Sequence, residues 1–170
     1  MKFYSICIIG LGYIGLPTAA VFAKHGMNIK GVDINQYAVD TINQGRIHIE
    51  EPGLEELVKD AVDKNLLKAY TTPQKADAFI MAVPTPFKGE DHEPNLDYIE
   101  AATRALAKVL EKGSLVILES TSPVGTTEKM SAWLAEERPD LSFPDTAGEA
   151  SDIRIAHCPE RVLPGHVMRE

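Results

Sequence analysis

A glycine-rich turn follows the first apolar run of the chain. The run covers residues 6–9, and the turn reads Gly10-Leu11-Gly12-Tyr13-Ile14-Gly15. Such spacing suits a strand that turns sharply into a helix: the first glycine permits the turn, the second lets backbone amides approach a ligand, and the third lets the helix pack close to the strand. Because the amino end of a helix carries partial positive charge, the turn predicts a phosphate-binding site.

An acidic residue ends the next strand-like segment, residues 28–32. This residue, Asp33, follows the glycines at about the 20-residue distance that one helix and one strand require. A carboxylate here accepts hydrogen bonds from the adenosine ribose of a dinucleotide and repels a 2′-phosphate, and Asn35 is not a basic residue that would attract one. We therefore predict NAD, and not NADP, as the cofactor. The alternative is a glycine-rich turn of another α/β domain, in which Asp33 is an ordinary strand-end residue.

Short apolar strands alternate with helical patterns along the chain, which is typical of a parallel sheet with right-handed crossovers. We predict an α/β fold in one domain, residues 1–170: a Rossmann-type doubly wound parallel sheet of about six strands with helices on both faces. The predicted strands are 6–9, 28–32, 67–71, 78–83, 115–118 and 153–157. After the first helix, which follows the glycines, helices are predicted at about 35–43, from 54, at 96–110 behind an Asn95 cap, and at 126–137. Residues 138–152, rich in Pro, Gly and acids, predict a surface loop.

The composition excludes several classes of partner and location. A formal net charge of -8 and a pI near 5.1 disfavour nucleic acid or an anionic membrane as a partner. No apolar run approaches the length of about 20 residues that spans a bilayer, so we expect a cytoplasmic protein. Two cysteines make no disulfide framework, and Cys7 is expected in the core. Cys158 next to His157 suggests a nucleophile or metal ligand, but neighbours on a strand point to opposite faces, so no metal site is predicted.

Residues directly after the strands are the candidates for chemistry, since ligands of open parallel sheets bind beyond the carboxyl ends of the strands. Two prolines flank Thr85 and are expected to hold its hydroxyl over the crevice, although they can also simply end a strand. Thr126 follows a Pro-Val-Gly turn and is predicted to cap a helix whose amino end faces a phosphate or the nicotinamide ribose. Glu160 is either a surface charge or a base directed into the cleft.

These motifs together resemble the NAD-binding domain of the UDP-glucose/GDP-mannose dehydrogenase family. The matching segments are residues 10–15, Asp33, Val83-Pro84-Thr85-Pro86, Ser120-Thr121 with Pro123-Val124-Gly125, and Pro159-Glu160. The resemblance implies oxidation of the C6 alcohol of a UDP-sugar to a carboxylate with two NAD, through a thiohemiacetal and a thioester on a cysteine. It implies NAD contacts from Tyr13, Ile14, Asp33, Thr85 and Thr126, and substrate contacts from Arg161 and Val162. Thr121 would hydrogen-bond the reacting oxygen or the hydrolytic water, which Glu160 would orient or deprotonate.

The chain also departs from the family pattern. Many members carry a second acid four positions after the glutamate of the Pro-Glu motif, where this chain has Pro164. The family's nucleophilic cysteine and catalytic lysine lie downstream of this domain, and Cys158 belongs to a different motif. We therefore expect a cofactor domain without the central helix and substrate-side domain, from an enzyme that is a homodimer or higher homo-oligomer. The alternatives are the cofactor domain of another hydroxyacid or sugar-acid dehydrogenase, and a stand-alone NAD-sensing module.

Overall fold

A six-stranded parallel sheet forms the centre of the computed structural model, which describes residues 3–89 and 93–160. The strand order β3-β2-β1-β4-β7-β8 is the doubly wound order that reverses between β1 and β4. The strands of this sheet are β1 (Ser5–Ile9), β2 (Asn28–Val32), β3 (Leu67–Tyr70), β4 (Ala78–Met81), β7 (Leu115–Glu119) and β8 (Arg154–Cys158). The helices are α1 (Gly15–Lys24), α2 (Gln36–Asn43), α3 (Leu54–Asp63), α4 (Asp97–Ala107), α5 (Thr126–Glu137) and α6 (Pro144–Ala147). The predicted fold class is confirmed.

Alternating side chains of the central strands pack into two hydrophobic layers, one on each face of the sheet. On one face, Ile6 and Ile8 belong to a buried cluster with residues of α1, α2 and α3. On the other face, Cys7 and Ile9 belong to a cluster with α4 and α5. A strand covered on both sides carries few polar residues, which explains why β1 and β4 are wholly apolar except for Ser5.

The strand register places the glycine turn beside Asp33. Ile9 of β1 pairs with Val32 of β2, so the next residue of each strand leaves the sheet at the same edge. Gly10 donates its N–H to the Val32 carbonyl at 2.8 Å, and Asp33 donates its N–H to the Tyr70 carbonyl at 3.1 Å. The carboxyl ends of β1, β2 and β3 are therefore held in line by backbone hydrogen bonds.

The surface loop predicted at residues 138–152 is wrong in part. This segment contains α6 and a 3-10 turn, Gly148–Ala150, and it buries Leu141 and Phe143 in the cluster that includes α5. Ser142 and Asp152 join its ends, since the Ser142 N–H donates to the Asp152 carboxylate at 3.0 Å and the Asp152 N–H donates to the Ser142 hydroxyl at 2.8 Å. The segment therefore packs on the core through Leu141 and Phe143 and is closed by the Ser142–Asp152 hydrogen bonds.

Smaller differences lie at element ends. A two-stranded hairpin of β5 (Phe87–Lys88) and β6 (Glu93–Pro94), which the sequence patterns did not predict, follows the Pro84–Pro86 segment. The Asn95 side chain accepts the Asp97 N–H at 2.9 Å, although α4 begins only at Asp97 and ends at Ala107. Among the residues described, none of the helices combines the length and apolar character that crossing a bilayer requires.

Candidate functional site

A cleft of about 710 Å³ opens at the carboxyl edge of the sheet. Its floor comes from the ends of β1, β2, β4 and β7, and α4 forms one wall. The cleft brings together eight of the predicted site residues: Gly10, Gly12, Tyr13, Ile14, Asp33, Thr85, Thr121 and Glu160. Its volume lies within the usual range of small-molecule sites, and its position at the reversal of strand order is where such folds bind ligands.

The three glycines have different surroundings. Gly10 has a φ of +91°, and a Cβ on it would lie 2.5 Å from the Ala82 carbonyl oxygen. A Cβ on Gly15 would lie 1.8 Å from the Gly10 carbonyl oxygen, so the start of α1 packs directly on the turn. A Cβ on Gly12 would meet nothing within 4 Å. The protein's own packing therefore requires Gly10 and Gly15, whereas Gly12 leaves open space in the cleft for a ligand.

The Asp33 carboxylate links the glycine turn to the start of α2. Its Oδ2 accepts the Leu11 N–H at 3.1 Å, and its Oδ1 accepts the Asn35 N–H at 2.9 Å. Two carboxylate oxygens offer about four lone pairs, so each retains capacity for a second donor. Asp33 is thus fixed by the backbone and still able to accept hydrogen bonds from two vicinal hydroxyl groups in the cleft.

The opposite half of the cleft is built from the ends of β4 and β7. The Thr85 hydroxyl donates to the Thr121 carbonyl at 2.6 Å and so joins the two strand ends. Its proton is used in this bond, and only its lone pairs face further partners. Ser120 is buried, and its hydroxyl oxygen has no hydrogen-bond partner among the described residues.

Two carboxyl groups lie at this same end. Glu119 is the last residue of β7, and Glu160 follows β8. Burial raises the pKa of the Glu119 carboxyl, and the charge of Glu160 raises it further. Within residues 3–89 and 93–160, Oε2 of Glu119 is buried and has no hydrogen-bond partner. A positive charge or a hydrogen-bond donor on a ligand would therefore be stabilised beside Glu119 Oε2.

Comparison with known proteins decides the family. Residues 4–170 match the description "UDP-glucose/GDP-mannose dehydrogenase family, NAD binding domain". The chain belongs to this family. It constitutes the NAD-binding domain, which confirms both the predicted resemblance and the predicted cofactor.

The chain spans about 40% of the length of the relatives that it matches. The UDP-N-acetyl-D-mannosamine dehydrogenase of Campylobacter jejuni is 69% identical over 99% of this chain and 42% of its own length. The NDP-N-acetyl-D-galactosaminuronic acid dehydrogenase of Ralstonia solanacearum is 65% identical over the whole chain and 40% of its own length. The solved structure of the UDP-D-ManNAc dehydrogenase of Pyrococcus horikoshii is 39% identical with a TM-score of 0.86, and the match covers 97% of this chain and 38% of that one.

Two features of the cleft are compatible with bound NAD. Gly12 leaves free volume beside the amino end of α1, where a pyrophosphate meets backbone amides and the helix dipole. At the other end, the Ser120 hydroxyl and Glu119 Oε2 are buried polar atoms without partners among the described residues, and such atoms normally find one in a ligand or water. The cleft thus offers anion-binding and polar groups at opposite ends.

Predictions for Thr126, Arg161 and Val162 have different outcomes. Thr126 does not cap α5: the cap position is Gly125 with a φ of +89°, and the Thr126 hydroxyl instead donates to the Pro123 carbonyl at 2.7 Å. Its side chain is buried and does not line the cleft, so its contact with NAD stays a prediction. Arg161 and Val162 lie outside the described residues.

Several lining residues were not identified from the sequence. Ile34 is 90% exposed directly after Asp33, and Tyr98 lies on α4. Three alanines, Ala101, Ala102 and Ala105, give α4 a smooth face toward the cleft. Three features of the sequence could have indicated these lining residues. They are a large apolar residue directly after Asp33, small residues beside the buried stripe of α4, and an acid, Glu119, at the end of an otherwise apolar strand.

The two cysteines have unlike environments. Cys7 is fully buried in β1, and burial raises the pKa of its thiol to about 11. Cys158 is exposed at the end of the edge strand β8. The part of the chain that the structure describes contains no group of three or more His, Cys, Asp or Glu side chains placed to hold a metal ion.

Proposed function

We propose that this chain is the cofactor domain of a nucleotide-sugar 6-dehydrogenase that oxidises UDP-N-acetyl-D-mannosamine to its uronic acid with two NAD. The support for the sugar is the 69% identity to a protein of that named activity. By resemblance to the family, the whole reaction requires a nucleophilic cysteine and a lysine, which we place downstream of the cofactor domain. We further propose that the enzyme is cytoplasmic and homo-oligomeric.

The observation that carries the cofactor role is the placement of Asp33 beside Gly12. The carboxylate is anchored by two backbone N–H groups and keeps free lone pairs for the adenosine ribose hydroxyls. The 2′-phosphate of NADP would lie close to the Asp33 carboxylate, and the repulsion between the two negative groups would weaken binding. Gly12 then leaves the space in which the pyrophosphate approaches the backbone amides of the turn.

The remaining cleft residues act on the sugar side of the reaction. Bound NAD would supply the acceptor for the hydride that leaves C6 of the sugar. Thr121 lies two residues after β7 and offers its hydroxyl to the reacting oxygen or to the hydrolytic water. Glu160, also lining the cleft, orients or deprotonates that water in the hydrolysis of the thioester. Arg161 and Val162 contact the nucleotide sugar in this proposal.

A second candidate substrate has specific support. An NDP-N-acetyl-D-galactosaminuronic acid dehydrogenase is 65% identical over the whole chain. The two sugars differ in stereochemistry, which is discriminated by the groups that contact the sugar ring and not by those that contact the adenosine of NAD. Turnover of the full-length enzyme with UDP-N-acetyl-D-mannosamine and with UDP-N-acetyl-D-galactosamine decides between them.

The cofactor role is tested by isothermal titration calorimetry of the 170-residue chain with NAD⁺ and NADP⁺. We expect NAD⁺ to bind at least about tenfold more tightly, a difference of about 1.4 kcal/mol. Tighter binding of NADP⁺ would refute the role given to Asp33. An Asp33→Ala variant is expected to lose most NAD⁺ affinity. Asp63→Ala removes an exposed carboxylate of α3 that is not among the cleft-lining residues, and it is expected to retain that affinity.

The catalytic role of Glu160 is tested in the full-length enzyme. Glu160→Gln is expected to slow thioester hydrolysis more than the first oxidation, because only hydrolysis requires an activated water. Single-turnover measurements separate the two steps. Unchanged turnover would remove Glu160 from the mechanism.

A further inference from the structure

Glu119 is an acidic residue without an assigned role in the proposed function. It ends β7 after the apolar residues 115–118, and it lines the cleft together with Thr121 and Glu160. Its Oε2 is buried and has no hydrogen-bond partner in the described part of the chain. Burying a carboxylate oxygen without a partner is costly, so a ligand that supplies a compensating charge would be stabilised here.

The strand order places Glu119 at the end of the cleft far from Asp33. Asp33 follows β2 and Glu119 ends β7, and β1 and β4 lie between them. These three steps between neighbouring strands span about 14 Å along the carboxyl edge. With the adenosine ribose on Asp33 and the pyrophosphate on the glycine turn, the second nucleotide of NAD extends over β4 and β7. Glu119 therefore belongs to the nicotinamide half of the site.

Within the described part of the chain, the charged group that acts on Glu119 is a second carboxyl, that of Glu160. Burial and the charge of Glu160 both raise the pKa of its carboxyl. The other titratable groups nearby are His157 and Cys158 on β8 and Tyr98 on α4. The end of β4 presents Ala82 and Val83, and α5 contributes no lining residue. Among the described residues that line the cleft, none is Lys or Arg, so the walls supply no cation to Glu119.

We propose that Glu119 lets the domain discriminate between the oxidised and reduced forms of its cofactor, because its carboxylate attracts the positively charged nicotinamide ring of NAD⁺ and not the neutral ring of NADH. This proposal rests on the proposed function, which places NAD in the cleft. An enzyme that uses two NAD in succession must release NADH and bind NAD⁺ between its two oxidations. A site that favours the charged ring assists that exchange.

The proposal predicts a specific dependence on pH. Protonation of Glu119 removes its charge, so the preference for NAD⁺ exists above the raised pKa of Glu119 and is lost as the pH falls through it. Groups at the adenosine end, such as Asp33, act on both forms alike because the two forms share that half of the molecule. The ratio of the dissociation constants for NADH and NAD⁺ therefore isolates the nicotinamide end.

The test is calorimetric titration of the 170-residue chain with NAD⁺ and NADH at about pH 5.5 and about pH 8; because the pKa of Glu119 is raised, its carboxyl is more protonated at the lower pH. We expect the ratio of the NADH to the NAD⁺ dissociation constant to be at least about threefold larger at the higher pH. Glu119→Gln is expected to remove this change while binding of both forms persists. Glu149→Gln deletes the same charge in the exposed 3-10 turn before β8 and is expected to behave as wild type.

Each outcome has a defined meaning. A wild-type ratio that does not change with pH overturns the proposal and needs no variant, so poor folding of Glu119→Gln leaves the test intact. A pH-dependent ratio that persists in Glu119→Gln and disappears in Glu160→Gln also overturns it, since Glu160 would then be the responsible group. Absence of binding by either form in wild type refutes the proposed function itself, and with it this inference.

Discussion

Replacing Gly12 and Gly15 in turn by alanine separates the structural glycine from the ligand-facing one. In Gly15→Ala the new Cβ would lie 1.8 Å from the Gly10 carbonyl oxygen, whereas contacts under 3.0 Å are essentially never observed. The turn and the start of α1 must therefore separate by about 1.2 Å. In Gly12→Ala the new Cβ meets nothing within 4 Å, and the residue lies outside the left-handed region.

Gly15→Ala is expected to lose stability, and Gly12→Ala is expected to lose NAD⁺ affinity. Overpacking against backbone costs about 3 kcal/mol, so Gly15→Ala should lower the melting temperature by about 6–12 °C. Gly12→Ala should change the free energy of unfolding by no more than about 0.5 kcal/mol. Its methyl group nevertheless occupies the space through which the pyrophosphate reaches the turn, so NAD⁺ affinity should fall at least about tenfold, or about 1.4 kcal/mol.

Urea denaturation and calorimetric titration measure these two quantities on the same samples. Each variant is the control for the other, because both add one methyl group to the same turn. The reasoning is refuted if Gly12→Ala binds NAD⁺ as tightly as wild type, or if Gly15→Ala is as stable as wild type.

Further predictions concern reactivity, pH and stability. An aromatic disulfide reagent should modify Cys158 in the native chain and reach the buried Cys7 only after denaturation; rapid reaction of both would contradict the placement of β1 in the core. Hydrogen bonds from backbone N–H groups at the start of β1 lower the pKa of Asp77. The stabilisation by its carboxylate is therefore present above the ordinary Asp pKa of about 3.9 and is lost as the pH falls through the lowered pKa. Asp77→Asn should be less stable than wild type by about 1–2 kcal/mol near neutral pH, and equal denaturation curves there would refute this. Arg138 donates to two carbonyls at the end of α4, at 3.0 and 2.7 Å, so Arg138→Met should cost about 1–3 kcal/mol in urea denaturation, and an unchanged midpoint would exclude the link.

The sequence patterns predict the fold well because local and long-range preferences agree in most segments. Wholly apolar runs identify β1 and β4 as central strands, and the glycine spacing identifies the strand-to-helix turn. Thr126 illustrates the limit: a threonine after a Pro-Val-Gly turn suggests a cap, but Gly125 adopts a positive φ and takes the cap position. Which of two adjacent residues begins a helix depends on the backbone conformation of the turn, and composition does not determine it.

Site residues whose position is set by strand register could be predicted from the sequence. A residue whose role depends on burial by neighbouring strands could not. Gly10, Gly12 and Asp33 have positions set by strand register, so spacing alone finds them. The sequence patterns assign no role to Glu119, the last residue of β7. Its distinction is burial beside Glu160, and this depends on the packing of β7 against β8, which the sequence pattern does not encode.

The double attachment of Asp33 limits how the cofactor preference of this domain can be redesigned. A neutral replacement at position 33 admits an extra phosphate but offers at most one side-chain oxygen, whereas the carboxylate uses two to accept from the amides of Leu11 and Asn35. Conversion to an NADP-dependent enzyme therefore requires a second substitution that restores an oxygen to those amides. Swaps of this aspartate alone should yield domains that bind either dinucleotide poorly.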